Sequence, residues 1–417
     1  MNSFVRHFSA RAWWPIIVMW LLIFGFHELP WGHGAIRAVL LIGIAALAIL
    51  CVRAPPMMEG SEPRRWIAGV VIVVLLAHAG YFVARLNCTH DGEPLPDIAR
   101  TTLAAVQTAA RGENPYTAPI DEVARHEVGP AFGGYKYLPV MPLVYGPLGL
   151  MLGNVGMLLT NLLLDFTTAA LIFVAAHRDG GRAAGLIAAA VYLSLPLVFG
   201  VVYAKFVTDL LPVSLLLGCL LAGERRPLLA GLLLGLSVSS KPLPGLAALP
   251  ACIPLRGRGS FGLGFAVGLL PTLVAWFSAP RAFIDNIVLF NAVRPLDWSS
   301  WMWGLPPQVS DVSRVGFGLV WLVLAIFAMR HATMVTTRSG LVVLLLVPVM
   351  LGGPAVHQNY ILWLIPFLCV ALAVMGRSDR LDATVWRWRL SPVSIASVGR
   401  WAARPVAAGT ELKLDTP

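Results

Sequence analysis

The sequence predicts an all-α fold, a polytopic transmembrane helical bundle of about 10–13 membrane segments with an outer-face loop carrying interfacial helices. Composition is the first observation behind it. The chain is 58% hydrophobic and 12% charged, whereas a soluble domain carries roughly 25% charged residues. The second is length: apolar stretches of about 17–25 residues recur from end to end, enough to cross ~30 Å of hydrocarbon as a helix. The third is where the basic residues sit. Arg and Lys gather in short loops and at the termini, as at Arg64 and Arg65, Arg225 and Arg226, or Arg387 and Arg389. That is the bias of cytoplasmic loops, and it accounts for the net charge of +10 without a nucleic-acid partner.

Four regions follow in order. Residues 1–86 hold N-terminal spans at about 12–29, 35–53 and 66–86. The first lacks a small-residue cleavage site and reads as a retained span rather than a signal peptide. Arg6 and Arg11 place the N-terminus inside, so the basic loop 53–65 is also inside and the loop 87–137 is outside. That outer loop carries seven of the chain's 21 acidic residues. Within it, Asp97 follows Pro96 and opens a helical pattern in which Ile98, Thr102, Leu103, Val106 and Ala110 share one face. Gly112 and Asn114-Pro115 end it, and the pattern predicts a helix lying at the membrane interface.

Residues 138–376 form the transmembrane module, with segments at about 138–153, 155–176, 184–203, 207–222, 228–255, 261–279, 312–330, 339–353 and 358–376. Two of them leave alternatives open. If 138–153 and 155–176 both cross, the loop from His177 to Arg182 falls outside with two arginines; Pro139, Pro142 and Pro147 allow the first to be broken or re-entrant instead. The segment 228–255 is interrupted by Ser239-Ser240-Lys241-Pro242, and reads as one long span or two half-spans meeting at Lys241. Residues 377–417 form a basic cytoplasmic tail. Of the five cysteines, four lie in or beside spans, which argues against a disulfide framework.

Asp97 to Tyr116 followed by FGGYKYLPVMPLVYGPLG, the Gly-rich span ending in Lys241-Pro242, and Gly352-Gly353 leading through His357 to Tyr360 occur in one order. In that order they resemble the GT-C membrane glycosyltransferases. The pattern is most similar to glycosyltransferase family 87, which uses polyprenol-phosphate-mannose. The resemblance covers roughly residues 85–376 and implies Asp97 as the general base. The chemistry suits the residues. Inverting transfer needs a carboxylate to take the acceptor proton and cations or hydrogen-bond donors for the departing phosphate. Asp97 is also placed as a helix N-cap, and the two roles are compatible. Asp91 is the reserve base. Lys241, ionisable within a membrane segment, and His357 are the candidate phosphate ligands. For Lys241 the competing readings are snorkelling or pairing with an acid such as Asp209; for His357, an interfacial position. Asn114, Tyr116, Tyr137, Tyr360 and Arg294 are candidate substrate-binding residues, and Trp298, Trp301 and Trp303 fit an interfacial aromatic belt better than a sugar platform.

No metal is expected, since no Cys/His cluster has zinc spacing and the resemblance requires none; no cofactor is expected either. Gly257 to Gly262 fits G-x-G-x-x-G but follows no strand, so a dinucleotide site is excluded on context. The expected function is an integral membrane hexosyltransferase, with mannose as the sugar. Its partners are a polyprenyl-phosphate sugar donor, a lipid-linked or glycan acceptor, and membrane lipids. It would sit in the cell membrane with its active site on the outer, extracytoplasmic side. A secondary transporter of a small polar or anionic solute, and a glycan polymerase or ligase, are the alternatives; broken spans are what a transporter would show.

Overall fold

The structure, a computed structural model, describes residues 97–373 apart from 205–206, 294–295, 297–298 and 332–333. The three predicted N-terminal spans, the beginning of the outer loop and the basic tail lie outside the described residues. Every regular element among the described residues is helical, and no strand occurs among them. Three helices are long and apolar enough to cross a membrane: Asn154–Arg182, Arg258–Ser278 and Pro307–Arg330. The last two are also the least covered by protein, with Phe277 71% and Val312 72% exposed. In water such a surface would be an aggregation site; in hydrocarbon it costs nothing.

Helix α1 (Asp97–Ala110) has the predicted bounds. Its apolar face, however, is covered by protein. Ala99, Thr102, Leu103 and Val106 are buried, and Leu103 and Val106 lie against Gly149 and Gly146 of α3 (Val140–Leu152). Ala110 is exposed. Between these helices the short α2 (Glu122–Glu127) is capped by Asp121, whose side chain accepts from the Ala124 N–H at 3.0 Å. At 13 residues, α3 spans about 20 Å, too short for ~30 Å of hydrocarbon. The segment 138–153 therefore does not cross as a straight helix. The chain reverses at Gly153, whose φ of 58° is in the left-handed region.

Helix α4 (Asn154–Ser194) is two helices joined at Gly181, where φ is 81°. The short α5 (Pro196–Phe199) runs into a π-helical segment, Gly200–Ala204. Helix α6 (Leu210–Ala222) follows, then α7 (Pro227–Val238) and α8 (Pro242–Cys252). These last two settle the open reading of 228–255: they are antiparallel half-helices, not one span. Glu224, before α7, accepts from the backbone N–H groups of Leu255 and Arg256, after α8, at 2.7 and 3.1 Å. The two mouths of the hairpin are thus side by side, and Lys241 stands at its tip. Twelve and eleven residues long, the arms reach only about 18 Å.

The hairpin is held by α9 (Arg258–Ser278) through glycines on both helices. A Cβ on Gly235 would lie 2.8 Å from the Gly268 Cα, and Gly231 meets Phe261 as closely. This is the small-residue packing that lets membrane helices approach backbone to backbone. At the tip, Ser239 Oγ donates to Gly268 O at 2.8 Å. Beyond α9 come α10 (Pro280–Phe283), a second π-helical segment (Ile284–Leu289), α11 (Phe290–Val293), α12 (Pro307–His331), α13 (Val335–Leu351), a 3-10 turn (Gln358–Trp363) and α14 (Ile365–Ala373).

One end of the described region gathers the basic loops. Arg178 donates to Leu221 O at 3.0 Å, Asp179 accepts from Thr336 N at 2.9 Å, and Arg338 pairs with Glu224 at 2.7 Å. Burial alone would raise the Glu224 carboxyl, but the Leu255 and Arg256 N–H groups and Arg338 outweigh it and hold it below the ordinary carboxylate range. The expected loop 177–182 is instead helical, at the Gly181 kink of α4, and it lies with the other arginine-rich segments; the parity conflict disappears with the short α3. The Gly257–Gly262 match opens α9, with no strand before it among the described residues.

Candidate active site

Of the predicted residues, the hairpin tip gathers Lys241, Tyr137, Tyr360 and His357. Lys241 precedes α8 in an extended conformation, φ −140° and ψ 120°, because Pro242 disfavours the helical region for the residue before it. Its Nζ lies 2.6 Å from Asp209 Oδ1 in an ion pair that is 9% exposed on the lysine side and fully buried on the aspartate side. The pairing named as an alternative for Lys241 is thus formed. Asp209 stands at the start of α6 and takes two further donors. Trp363 Nε1 reaches Oδ1 at 2.7 Å, and Asn359 Nδ2 reaches Oδ2 at 2.9 Å. Both come from the 3-10 turn Gln358–Trp363. The sequence signal for them is the run Asn359-Tyr360 to Trp363 beside His357, whose polar edge faces inward instead of toward lipid.

Aromatic rings link this pair to the outer-loop residues. Tyr360 stacks on Trp363 with centroids 4.5 Å apart, and His357 meets Tyr360 edge-on at 5.6 Å. On the other side, Lys241 Nζ lies 5.3 Å from the Tyr137 ring centroid. Burial raises the Tyr137 phenol well above its ordinary value, and the nearby Asp97 carboxylate, Tyr360 and Asp209 push it the same way. Tyr137 therefore lies near both carboxylates. Asp97, at the first residue of α1, is mostly exposed and lies 3.8 Å from Arg100.

Asn114 and Tyr116 are placed differently. Asn114 Oδ1 accepts from the Tyr116 N–H at 2.9 Å, and its Nδ2 donates to Ser278 at 3.0 Å. Tyr116 is 5% exposed, packs on Phe283, and donates its hydroxyl to Tyr137 O at 3.0 Å. Burial raises both the Tyr116 and Tyr135 phenols, so both stay protonated donors. Their polar atoms are engaged within the protein, and this turn holds the backbone of Tyr137 in place. Gly134 is required for it: a Cβ there would lie 2.6 Å from Asn286 Nδ2 and closer still to Tyr116 O. Lys136, next in sequence, pairs with Asp121. Asp91 and Arg294 lie outside the described residues. Trp301 donates to Leu351 O at 2.8 Å and Trp303 is 57% exposed.

One buried carboxylate had no role in the sequence reading. Asp165, fully buried in α4, accepts from the hydroxyls of Tyr192 at 2.7 Å and Tyr203 at 2.6 Å. One turn earlier, Asn161 donates to Val202 O at 3.0 Å. Together they anchor the π-helical segment Gly200–Ala204, which leads to Asp209. The signal was available: a lone acid within the apolar run 155–176 is itself a marker of function or buried pairing. Among the described residues no group of three or more His, Cys, Asp or Glu is arranged to hold a metal.

No protein-family model matches the chain, and no curated protein matches it. Solved structures similar to it include ArnT from Cupriavidus metallidurans bound to undecaprenyl phosphate, at 15% identity over 78% of this chain, with a TM-score of 0.47. The apo state of that protein matches at 15% identity over 84% of this chain, with a TM-score of 0.43. The chain spans 62% and 61% of those two chains, less than two thirds of their length.

Proposed function

We propose that this protein is an integral membrane glycosyltransferase that moves a hexose, mannose by the sequence resemblance, from a polyprenyl phosphate to a lipid-linked or glycan acceptor. The observation that carries the reading is the buried Lys241–Asp209 pair against the Tyr137 ring, with the exposed Asp97 carboxylate near the same phenol. A base open to an acceptor and a cation held deeper match the two ends of a displacement at the anomeric carbon. In that reaction Asp97 takes the proton of the acceptor hydroxyl. The acceptor oxygen forms the new bond to C1 as the C1–O bond to phosphate breaks, inverting the centre. The electron pair leaves on the polyprenyl phosphate. Lys241 spends one N–H on Asp209, leaving the others for a phosphate oxygen, with His357 at the edge of Tyr360 as a second donor. Asp209 acts through Lys241 and is a positioning residue.

The site lies at the end of the described region opposite the arginine-rich loops. The positive-inside bias supports an outer-face site in the cell membrane, where lipid-linked donors replace nucleotide sugars. A secondary transporter is favoured by one feature, the broken hairpin with an ion pair at its tip. Purified protein assayed with polyprenyl-phosphate-mannose separates the two. Transfer is expected, with Asp97→Asn reducing it by about 100-fold or more while leaving the fold intact. No transfer together with solute uptake into proteoliposomes would replace the enzyme with the transporter. Full activity in Asp97→Asn would move the base elsewhere.

A further inference from the structure

A cleft lies beside Tyr116. The loop 116–134 and the chain leaving α9 enclose a cleft of about 630 Å³, lined among others by Arg125, Gly133, Gly134, Arg281 and Asp285. That volume suits a small-molecule ligand. Three features give its chemistry. The first is charge in an unexpected place. The cleft is at the end of α9 away from the arginine-rich loops, where basic residues are disfavoured. Of the described basic residues at that end, Arg100, Arg111, Lys136 and Arg314 each pair with an acid within 4.0 Å, whereas Arg281 has no acid within that distance among the described residues. Arg125 has only Glu122 at 3.4 Å, in a pair about half exposed on both sides, which contributes little and leaves the guanidinium free to turn. The Arg125 stem lies over Gly133, 3.3 Å from where a Cβ would be, and Arg125 lines the cleft.

The second is the wall. Asp285 belongs to the π-helical segment Ile284–Leu289, a rare geometry that is frequent at functional sites. The third is the surroundings. Phe277, Ile284 and Val288, on the elements that form this wall, are 71%, 39% and 53% exposed. Guanidinium groups beside an exposed apolar surface suit a ligand with an anionic head and a hydrocarbon tail.

We propose that this cleft binds a phosphate group carried by a membrane amphiphile, with Arg281 and Arg125 as its ligands. It is separate from Lys241 and His357, and it stands whether or not the protein transfers sugar. Binding is measured with the full chain in phosphatidylcholine nanodiscs, using dihexanoyl phosphatidic acid and inorganic phosphate as probes. The lipid is expected to bind at least about tenfold more tightly than phosphate. Arg281→Gln is expected to weaken it about tenfold and Arg125→Gln about threefold. Asp285→Asn, which removes the opposing charge, is expected to tighten it severalfold. Arg281 and Arg125 are exposed, so thermal unfolding of these variants should match the parent. Equal affinity for both probes would overturn the lipid assignment. Affinity for the lipid that is unchanged in both arginine variants would overturn the site.

Discussion

Asp209 accepts three charge-assisted or indole hydrogen bonds while wholly removed from water. That arrangement is what a buried carboxylate requires, because desolvating it alone costs several kcal/mol. The two partners are not equivalent. Lys241→Met leaves the carboxylate with Asn359 and Trp363, whereas Asp209→Asn leaves an ammonium 9% exposed and unpaired. Asp209→Asn is therefore expected to destabilise by about 3–5 kcal/mol, and adding Lys241→Met to recover part of that loss. Thermal unfolding in detergent of the two single variants and the double variant measures it. Strictly additive losses would mean the pair is not coupled. The pairing was partly legible in the sequence. A lysine inside an apolar run demands an acid, and Asp209 was an obvious acid within reach. The donors Asn359 and Trp363, 150 and more residues away, carried no such demand.

Legibility at the level of elements follows the range of the forces. The bounds of α1 and the break before α8 are local, set by Pro96, Gly112 and the Lys241-Pro242 step, and both were readable. That α7 and α8 fold back on each other is not local. It depends on Glu224 joining Leu255 and Arg256, and on glycines of α7 finding glycines of α9. Nor did the amphipathic face of α1 reveal that α3 covers it, since protein and hydrocarbon present the same apolar surface. The hairpin packing gives a contrast within one pair of helices. A Cβ on Gly235 would lie 2.8 Å from the Gly268 Cα, while a Cβ on Gly262, on α9, would meet nothing within 4 Å. Gly235→Ala is expected to force α7 and α9 apart and cost about 2–4 kcal/mol. Gly262→Ala is expected to be neutral or to stabilise by up to about 1 kcal/mol through helix propensity. Equal unfolding temperatures for the two variants would show that the close approach contributes nothing.

Among the described residues the two ends differ in charge: one gathers arginines with few acids, and the other mixes its acids with Arg100, Arg111, Arg125, Lys136, Arg281 and Arg314. Arg225, Arg226 and Arg256 sit between helices, and Arg178 of α4 and Arg338 of α13 lie beside them, tied together by Glu224 and Asp179. Asp97, Asp121 and Glu122 sit in the segment 97–137, with Asp97 at the opening of the candidate site. A membrane potential and the insertion machinery both favour the first set on the cytoplasmic side. This difference yields a prediction about orientation that is independent of any assay of sugar transfer. Glu113 and Arg225 are both exposed, and each marks one end. Glu113→Cys and Arg225→Cys are made separately in a variant whose five native cysteines are replaced by serine or alanine. In intact cells a membrane-impermeant maleimide is expected to label the first and not the second. In inside-out vesicles the pattern is expected to reverse. Losing the Glu113–Arg111 pair is tolerable, because that pair is more than half exposed and such pairs contribute little. Labelling of Arg225→Cys from outside would invert the molecule. It would put Asp97 and the Lys241–Asp209 pair on the cytoplasmic side, where nucleotide sugars are present, and the argument for a lipid-linked donor would fall with it.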